Sequence, residues 1–418
     1  MELIVERIGG YSKGFNFKLS ENIEDSEKHE WNAVQIDNEW FFIETTWGAG
    51  YSTDDKIFIK KFNPYYFFTP PIEFVRGHLP FDEKWQLLPK TKIINQKTFM
   101  TFSNLKPDFF TLGFNCIEPD YTFNNAKEKG KFILYFDKNK EINHKKMKVM
   151  AKLYSIKDEN DSNQIKNAIL EIKKDDCYEI NYLINKKGKY QLKIFGNNGD
   201  SKEYNELCTL ILTSKKDSEK PKAYPLTSGL YYNSDIKIIS PNNGILKEGD
   251  KINFELKTST YNELYIGINN GERANFIEMN KENNNIFKEE DFLIYGKKVI
   301  ISCKGEKENS YNSILEFEVL PSTKKKNAIS FPQVFSGPKN RLIEPICDKL
   351  KKGKKVNFSI KSEVIEEMGV ADGEELHQLE KNNGVFSGEI KISGKGDVKI
   401  VFKKEDGGYG VLYLYKVF

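Results

Sequence analysis

The sequence predicts a chain made largely of β-sheet, with three tandem two-sheet sandwiches behind an N-terminal segment of a different kind. Two observations predict it. Three short landmarks recur in the same order at intervals of roughly 100 residues. All four tryptophans (Trp31, Trp40, Trp47 and Trp85) fall in the first 85 of 418 residues.

The first landmark is a glycine turn feeding an alternating strand. Residues 246–256 (LKEGDKINFEL) recur as residues 350–360 (LKKGKKVNFSI), with a looser copy at 129–135 (KGKFILY). Apolar side chains take every second place, the period of a strand with one buried face. The second landmark is a strand opened by glycine at Gly188, Gly296 and Gly396. The third leads into a closing strand: YNEL at 204–207, YNSI at 311–314 and YGVL at 409–412. A period this long is too great for a solenoid, so each unit closes its own core at immunoglobulin-like size. The expected domains are 1–90, 91–218, 219–322 and 323–418. Polar linkers are expected at 215–227, with Pro221 and Pro225, and at 321–327, with Lys324, Lys325 and Lys326. Residues 163–174 carry helical spacing and strand features alike.

In the N-terminal segment, Ile4 and Val5 begin a strand and Gly9-Gly10 reads as a turn. Two strands follow, 30–36 and 40–46, joined at Asp37-Asn38-Glu39, a strong hairpin signal. With Asp37 and Asn38 as a two-residue turn, Gln35 faces Trp40, Trp31 faces Glu44 and His29 faces Thr46. His29 and Glu44 then share one sheet face as diagonal neighbours, roughly 7–8 Å apart at the backbone. A three-residue loop would put them on opposite faces. An imidazole oriented by a carboxylate is two-thirds of a nucleophile–His–acid site, in which the ring takes the nucleophile's proton and the acid steadies the ring. An ordinary hairpin with a surface His and Glu is the alternative that the residues alone leave open. Trp47 is expected as a wall of the site and Asn32 as a neighbour that orients groups in it. His78 reads as a structural hydrogen-bonder, and Tyr11 and the run 65–68 read as core.

Composition narrows the function classes. Lys and Arg number 64 against 61 Asp and Glu, a net of +3, which does not suggest a dedicated nucleic-acid binder. The five cysteines (Cys116, Cys177, Cys208, Cys303 and Cys347) and four histidines lack paired metal-ligand spacing, so no metal and no cofactor is expected. The dispersed cysteines suit a reducing compartment. No apolar run reaches the ~18–20 residues of a membrane helix, and acidic residues interrupt the first 19 where a signal peptide would be apolar. The acidic pair Asp54-Asp55 lacks metal-loop spacing.

Residues 29–34 (HEWNAV) and 44–50 (ETTWGAG) resemble the transglutaminase-like superfamily, and specifically its kyphoscoliosis peptidase and hillarin branch. The motif at 10–14 (GYSKG), the run 65–71 (YYFFTPP), Phe74, His78, Pro80 and 85–88 (WQLL) extend the resemblance across about residues 3–90. It implies the C-terminal, mostly β part of a papain-like α+β core. It maps the family's catalytic histidine onto His29 and its third triad member, usually Asp, onto Glu44. The family's cysteine nucleophile stands at a helix N-terminus upstream of the glycine motif, and no cysteine precedes His29. The expectation is therefore a chain with the His and acid of the site but no nucleophile, acting in the cytoplasm as a protein-binding scaffold for cytoskeletal or other proteins. The alternative is a thiol peptidase or protein acyltransferase whose cysteine lies in further N-terminal sequence. Cys116 reads as a core residue rather than a substitute.

Overall fold

The computed structural model describes the chain except residues 1–2, 15–16, 18–22, 24–26, 54–56, 122–124, 143, 145, 159–160, 221, 270–273, 308–309, 322–331 and 336–339. The expected linker at 321–327 and the pair Asp54-Asp55 fall almost wholly outside the described residues. The chain divides into two compact units, Met1–Pro221 and Lys222–Phe418. Strand dominates throughout, and no described helix exceeds the six residues of Gln96–Thr101. Among the described residues no helix is long and apolar enough to cross a membrane.

The first unit opens with a four-stranded sheet. Its order is β3 (Glu39–Ile43), β2 (Glu27–Ile36), β1 (Ile4–Ser12) and the short strand His78–Pro80. The β2–β3 hairpin turns on Asp37 and Asn38, with φ of 50° and 68°. Positive φ at both central positions matches the twist of the flanking strands, and Asp and Asn tolerate it. Gln35 pairs with Trp40, the register the sequence predicts.

Two expectations fail here. β3 stops at Ile43 instead of running to residue 46, because Thr45–Ala49 form one helical turn, α1, capped by Glu44. Glu44 thus stands at the end of the hairpin rather than opposite Trp31. Gly9 and Gly10 are not a turn but lie inside β1, where Gly10 pairs with His29 on one side and Pro80 on the other. A Cβ at Gly10 would collide with the Leu79 carbonyl and the Trp31 ring. Close approach, not chain reversal, calls for glycine there.

One face of this sheet packs Ile8, Trp31, Ala33, Phe42 and Phe74 into a small core. Tyr11 is buried as expected, beside Leu79 and Phe99. The run 65–68 splits. Tyr65 and Tyr66 are half-buried, whereas Phe67 and Phe68 are exposed and stack on one another at 4.2 Å. Leu3, Ile4, Val5, Tyr51, Phe58 and Ile72 are exposed as well, so the apolar faces of this segment are partly bare.

Three pairs of sheets follow. The pairs in the second unit share one plan, a six-stranded sheet in which the closing strand neighbours the strand of the second landmark, and a four-stranded partner. The pair in the first unit repeats the plan with a five-stranded and a four-stranded sheet. The landmarks mark equivalent strands. Gly188–Asn197, Lys298–Lys304 and Val398–Lys403 each pair antiparallel with the closing strands Asn205–Ser214, Tyr311–Leu320 and Tyr409–Val417. Each hairpin carries one register shift, and it skips Leu207, Ile314 and Leu412 respectively. Those are the last residues of YNEL, YNSI and YGVL, and all three are fully buried. The landmark therefore encodes a β-bulge whose extra residue turns into the core. Gly130, expected in a turn, lies inside the strand Lys129–Phe136, and residues 163–174 resolve into strand, as Asp161–Gln164 and Ile169–Lys173.

Candidate functional site

The sheet register gathers the site. His29 of β2 lies opposite Gly10, and His78 lies opposite Ser12, two residues further along the same central strand. Directly paired residues share a face, and so do residues two apart. His29 and His78 therefore stand on one face, flanking β1, and glycine at position 10 lets the Trp31 ring pass close over the strand between them.

Glu44 reaches this face from the end of β3. Its Oε1 accepts hydrogen bonds from the backbone N–H of Thr46 at 2.7 Å and of Trp47 at 3.1 Å, closing the first turn of α1. Its Oε2 lies 2.7 Å from His29 Nε2 and 3.5 Å from His78 Nε2. One oxygen thus fixes the carboxylate to the backbone and the other serves two imidazoles. Burial alone would raise the Glu44 carboxyl, but the His29 hydrogen bond and the nearby His78 ring outweigh it and hold it down at about 2. Glu44 is therefore ionised at neutral pH. Burial lowers the His78 ring in turn, opposed by Glu44.

Aromatic rings enclose the group. Trp47, carried by α1, stacks on His29 with centroids 5.2 Å apart and planes 18° apart, and lies 4.4 Å from His78. Phe74 stacks on the other imidazole at 4.1 Å. Trp47 lies against both imidazoles. Asn32 does not. It pairs with Ile43 and Arg7, and strand alternation puts it on the face opposite His29 and Trp31. His78 is the site residue that sequence reasoning missed. Its ring bonds to the Phe74 backbone, in keeping with the structural role expected of it, and its Nε2 also stands 3.5 Å from Glu44 Oε2. The signal lay in the sequence separation of strands that only the register joins.

The arrangement suits acid–base chemistry at His29. With Nε2–H donated to Glu44, the neutral ring keeps its lone pair on Nδ1, free to take a proton. All five cysteines are unbridged. Burial raises the thiol at Cys116, Cys303 and Cys347, raises Cys177 to about 11, and raises Cys208 further still. Cys116, Cys177, Cys208 and Cys303 sit in sandwich strands. Cys177 and Cys208 belong to different sheets of one sandwich.

Residues 96–225 match the family described as KY-like, immunoglobulin-like domain. The kyphoscoliosis peptidase of Mus musculus is 32% identical over 114 residues, which cover 27% of this chain and 17% of that protein. Hillarin of Drosophila melanogaster is 29% identical over 126 residues, covering 27% of this chain and 15% of that one. The chain thus matches less than one-fifth of either relative's length. Among solved structures, an I-band fragment from titin aligns with 70% of this chain and 93% of that one, at 11% identity and a TM-score of 0.14, too distant to carry a structural argument. Over the stretches they cover, the sequence matches support a kinship with the kyphoscoliosis peptidase and hillarin branch.

Proposed function

We propose that this chain is a protein-binding scaffold built around the acid–base half of a thiol acyl-transfer site. The supporting observation is a contrast within one molecule. The His29–Glu44 pair is formed and fixed at 2.7 Å, while burial raises the thiol of every cysteine, the reverse of what a nucleophile needs. In this reading residues 1–90 derive from the β part of a papain-like core, and three sandwiches at 91–218, 219–322 and 323–418 present surfaces to cytoskeletal or other proteins in the cytoplasm.

A second reading keeps the enzyme. Glu44 engages Nε2 and leaves Nδ1 for a thiol, the division of labour that a Cys–His–acid centre requires. A cysteine from sequence beyond this chain would then make a peptidase or protein acyltransferase, with His29 as base and Glu44 as its orienter.

Alkylation kinetics separate the two. The full-length protein, with any sequence beyond this chain, is treated with iodoacetamide at neutral pH, and each cysteine's rate is read by mass spectrometry beside that of a His29→Ala variant. The scaffold reading expects slow, matching rates in both proteins. A cysteine whose rate falls tenfold in His29→Ala overturns it in favour of the enzyme. Co-sedimentation with actin filaments and with microtubules tests the partner class, and absence from both pellets removes the cytoskeletal assignment.

A further inference from the structure

His78 and Glu44 face one another in the buried part of the site. The His78 ring bonds to the Phe74 backbone, and its Nε2 makes no well-aligned hydrogen bond among the described residues. That nitrogen stands 3.5 Å from Oε2 of Glu44, with the two side chains 2% and 0% exposed. An imidazole nitrogen and a carboxylate oxygen aimed at one another in dry surroundings are placed to share a cation.

A third donor completes the cluster. His29 Nε2 lies 2.7 Å from the same oxygen, and the three ligand atoms all lie within 4.8 Å of one another. Tetrahedral zinc holds nitrogen and oxygen ligands at about 2.0–2.2 Å, which spaces them about 3.3 Å apart. Two of the observed separations, 2.7 and 3.5 Å, bracket that value, and the third is within 4.8 Å. We propose that His29 Nε2, His78 Nε2 and Glu44 Oε2 form a binding site for one divalent transition-metal ion of the zinc class.

Two histidines and one carboxylate are a donor set such ions favour over magnesium or calcium. The outer contacts are in place as well. Glu44 Oε1 is tied to the amides of Thr46 and Trp47, and the His78 proton is tied to Phe74. The fourth position faces solvent on the side of His29, whose side chain is 19% exposed. Binding requires the His29 Nε2 proton to leave or move to Nδ1. The ion and the His29–Glu44 hydrogen bond therefore exclude each other. That last consequence bears on acid–base chemistry only if the proposed function holds, whereas the metal site stands without it.

The test uses the whole 418-residue chain, stripped with a chelator and titrated with Co²⁺. The expected result is saturation at one ion per chain, with visible absorption bands of a tetrahedral site that Zn²⁺ abolishes. His78→Gln and His29→Ala are each expected to weaken binding by about 100-fold. His377→Ala, at an exposed ring 3.8 Å from Glu375, should change nothing. His29 is the more exposed ligand, so His29→Ala reports on the site even where His78→Gln fails to fold. No saturable binding below about 1 mM Co²⁺, or full binding retained in His29→Ala, overturns the proposal. Neither outcome alters the alkylation test of the acid–base reading.

Discussion

Glu44 in the N-terminal sheet and Asp372 in the last sandwich are both buried carboxylates, and they are used differently. Asp372 gives both oxygens to one neighbour, accepting from the backbone N–H of Ser393 at 2.5 Å and from its hydroxyl at 2.8 Å. Its hydrogen-bonding capacity is taken up by holding two segments of chain together. Glu44 spends one oxygen that way, on Thr46 and Trp47, and turns the other toward two imidazoles. A buried acid that only braces the fold leaves nothing to act with. An acid with one oxygen in reserve can orient a base or hold a cation.

The comparison predicts its largest effect at Glu44. Glu44→Ala removes the cap of α1, worth about 1 kcal/mol, and a charge-assisted hydrogen bond worth about 1.5–3 kcal/mol. The expected loss is about 3 kcal/mol at neutral pH, measured by urea unfolding. The acid limb has a definite sign. The folded carboxyl titrates at about 2, below its ordinary 4.5, so its stabilisation is complete above pH 4.5 and fades as pH falls toward 2. On the order of 3 kcal/mol is lost across that window in the wild type, and Glu44→Ala should lack this acid limb. An identical acid profile in the two proteins would show that Glu44 is no more than a brace.

Lys13 offers the opposite charge in the same region, with a pH slope of the same sign but from a group whose burial costs stability. Its ammonium is buried over the Phe99 ring at 4.7 Å and donates to the Phe102 carbonyl at 3.3 Å. Burial first, then Arg76, lowers it from 10.5 to about 7. Between pH 7 and 10.5 the unfolded chain binds a proton that the folded one does not, so wild-type stability rises with pH across that range. Lys13→Met should flatten that rise and stabilise the protein below pH 7 by on the order of 2 kcal/mol. A variant less stable at pH 6 would mean that the cation is satisfied in place. Asp372→Asn, by contrast, keeps an accepting oxygen and is expected to cost only about 1 kcal/mol.

The sandwiches were legible because their landmarks are local. Leu207, Ile314 and Leu412 close short motifs that recur in order, and the bulge each one makes is set by strands adjacent in sequence. The His29–Glu44 pair was legible for a related reason, since one tight hairpin joins them. The turn at Asp37-Asn38 set the register, although the cap at Glu44 replaced the expected strand. His78 was not legible as a site residue. It reaches the face through pairing with Ser12, 66 positions away, and nothing in the local sequence reports such a partner. Gly10 was misread because a glycine required by close approach and a glycine required by a turn look alike until the neighbouring strands are in place. Asn32 was misassigned for want of the alternation rule applied from His29.

The smallest predicted effect bears on the register itself. Asn38 holds φ of 68° and Asp37 holds 50°, a conformation in which glycine meets no Cβ penalty and β-branched residues meet the greatest. Asn38→Gly should stabilise the first unit by about 0.5 kcal/mol, and Asn38→Val should destabilise it by about 1–2 kcal/mol. The consequence at the site is sharper than the energy. A two-residue turn sets Gln35 against Trp40 and Asn32 against Ile43, and so ends β3 where Glu44 can fold back onto His29. If Asn38→Val shifts the loop to three residues, every side chain on β3 changes face and Glu44 leaves the imidazoles. NMR contacts between the His29 and Trp47 rings, 5.2 Å apart, read this directly. Asn38→Gly should keep them. A shifted hairpin in Asn38→Val should lose them, and a folded Asn38→Val that keeps them would show that the cap at Glu44, not the turn, fixes the pair.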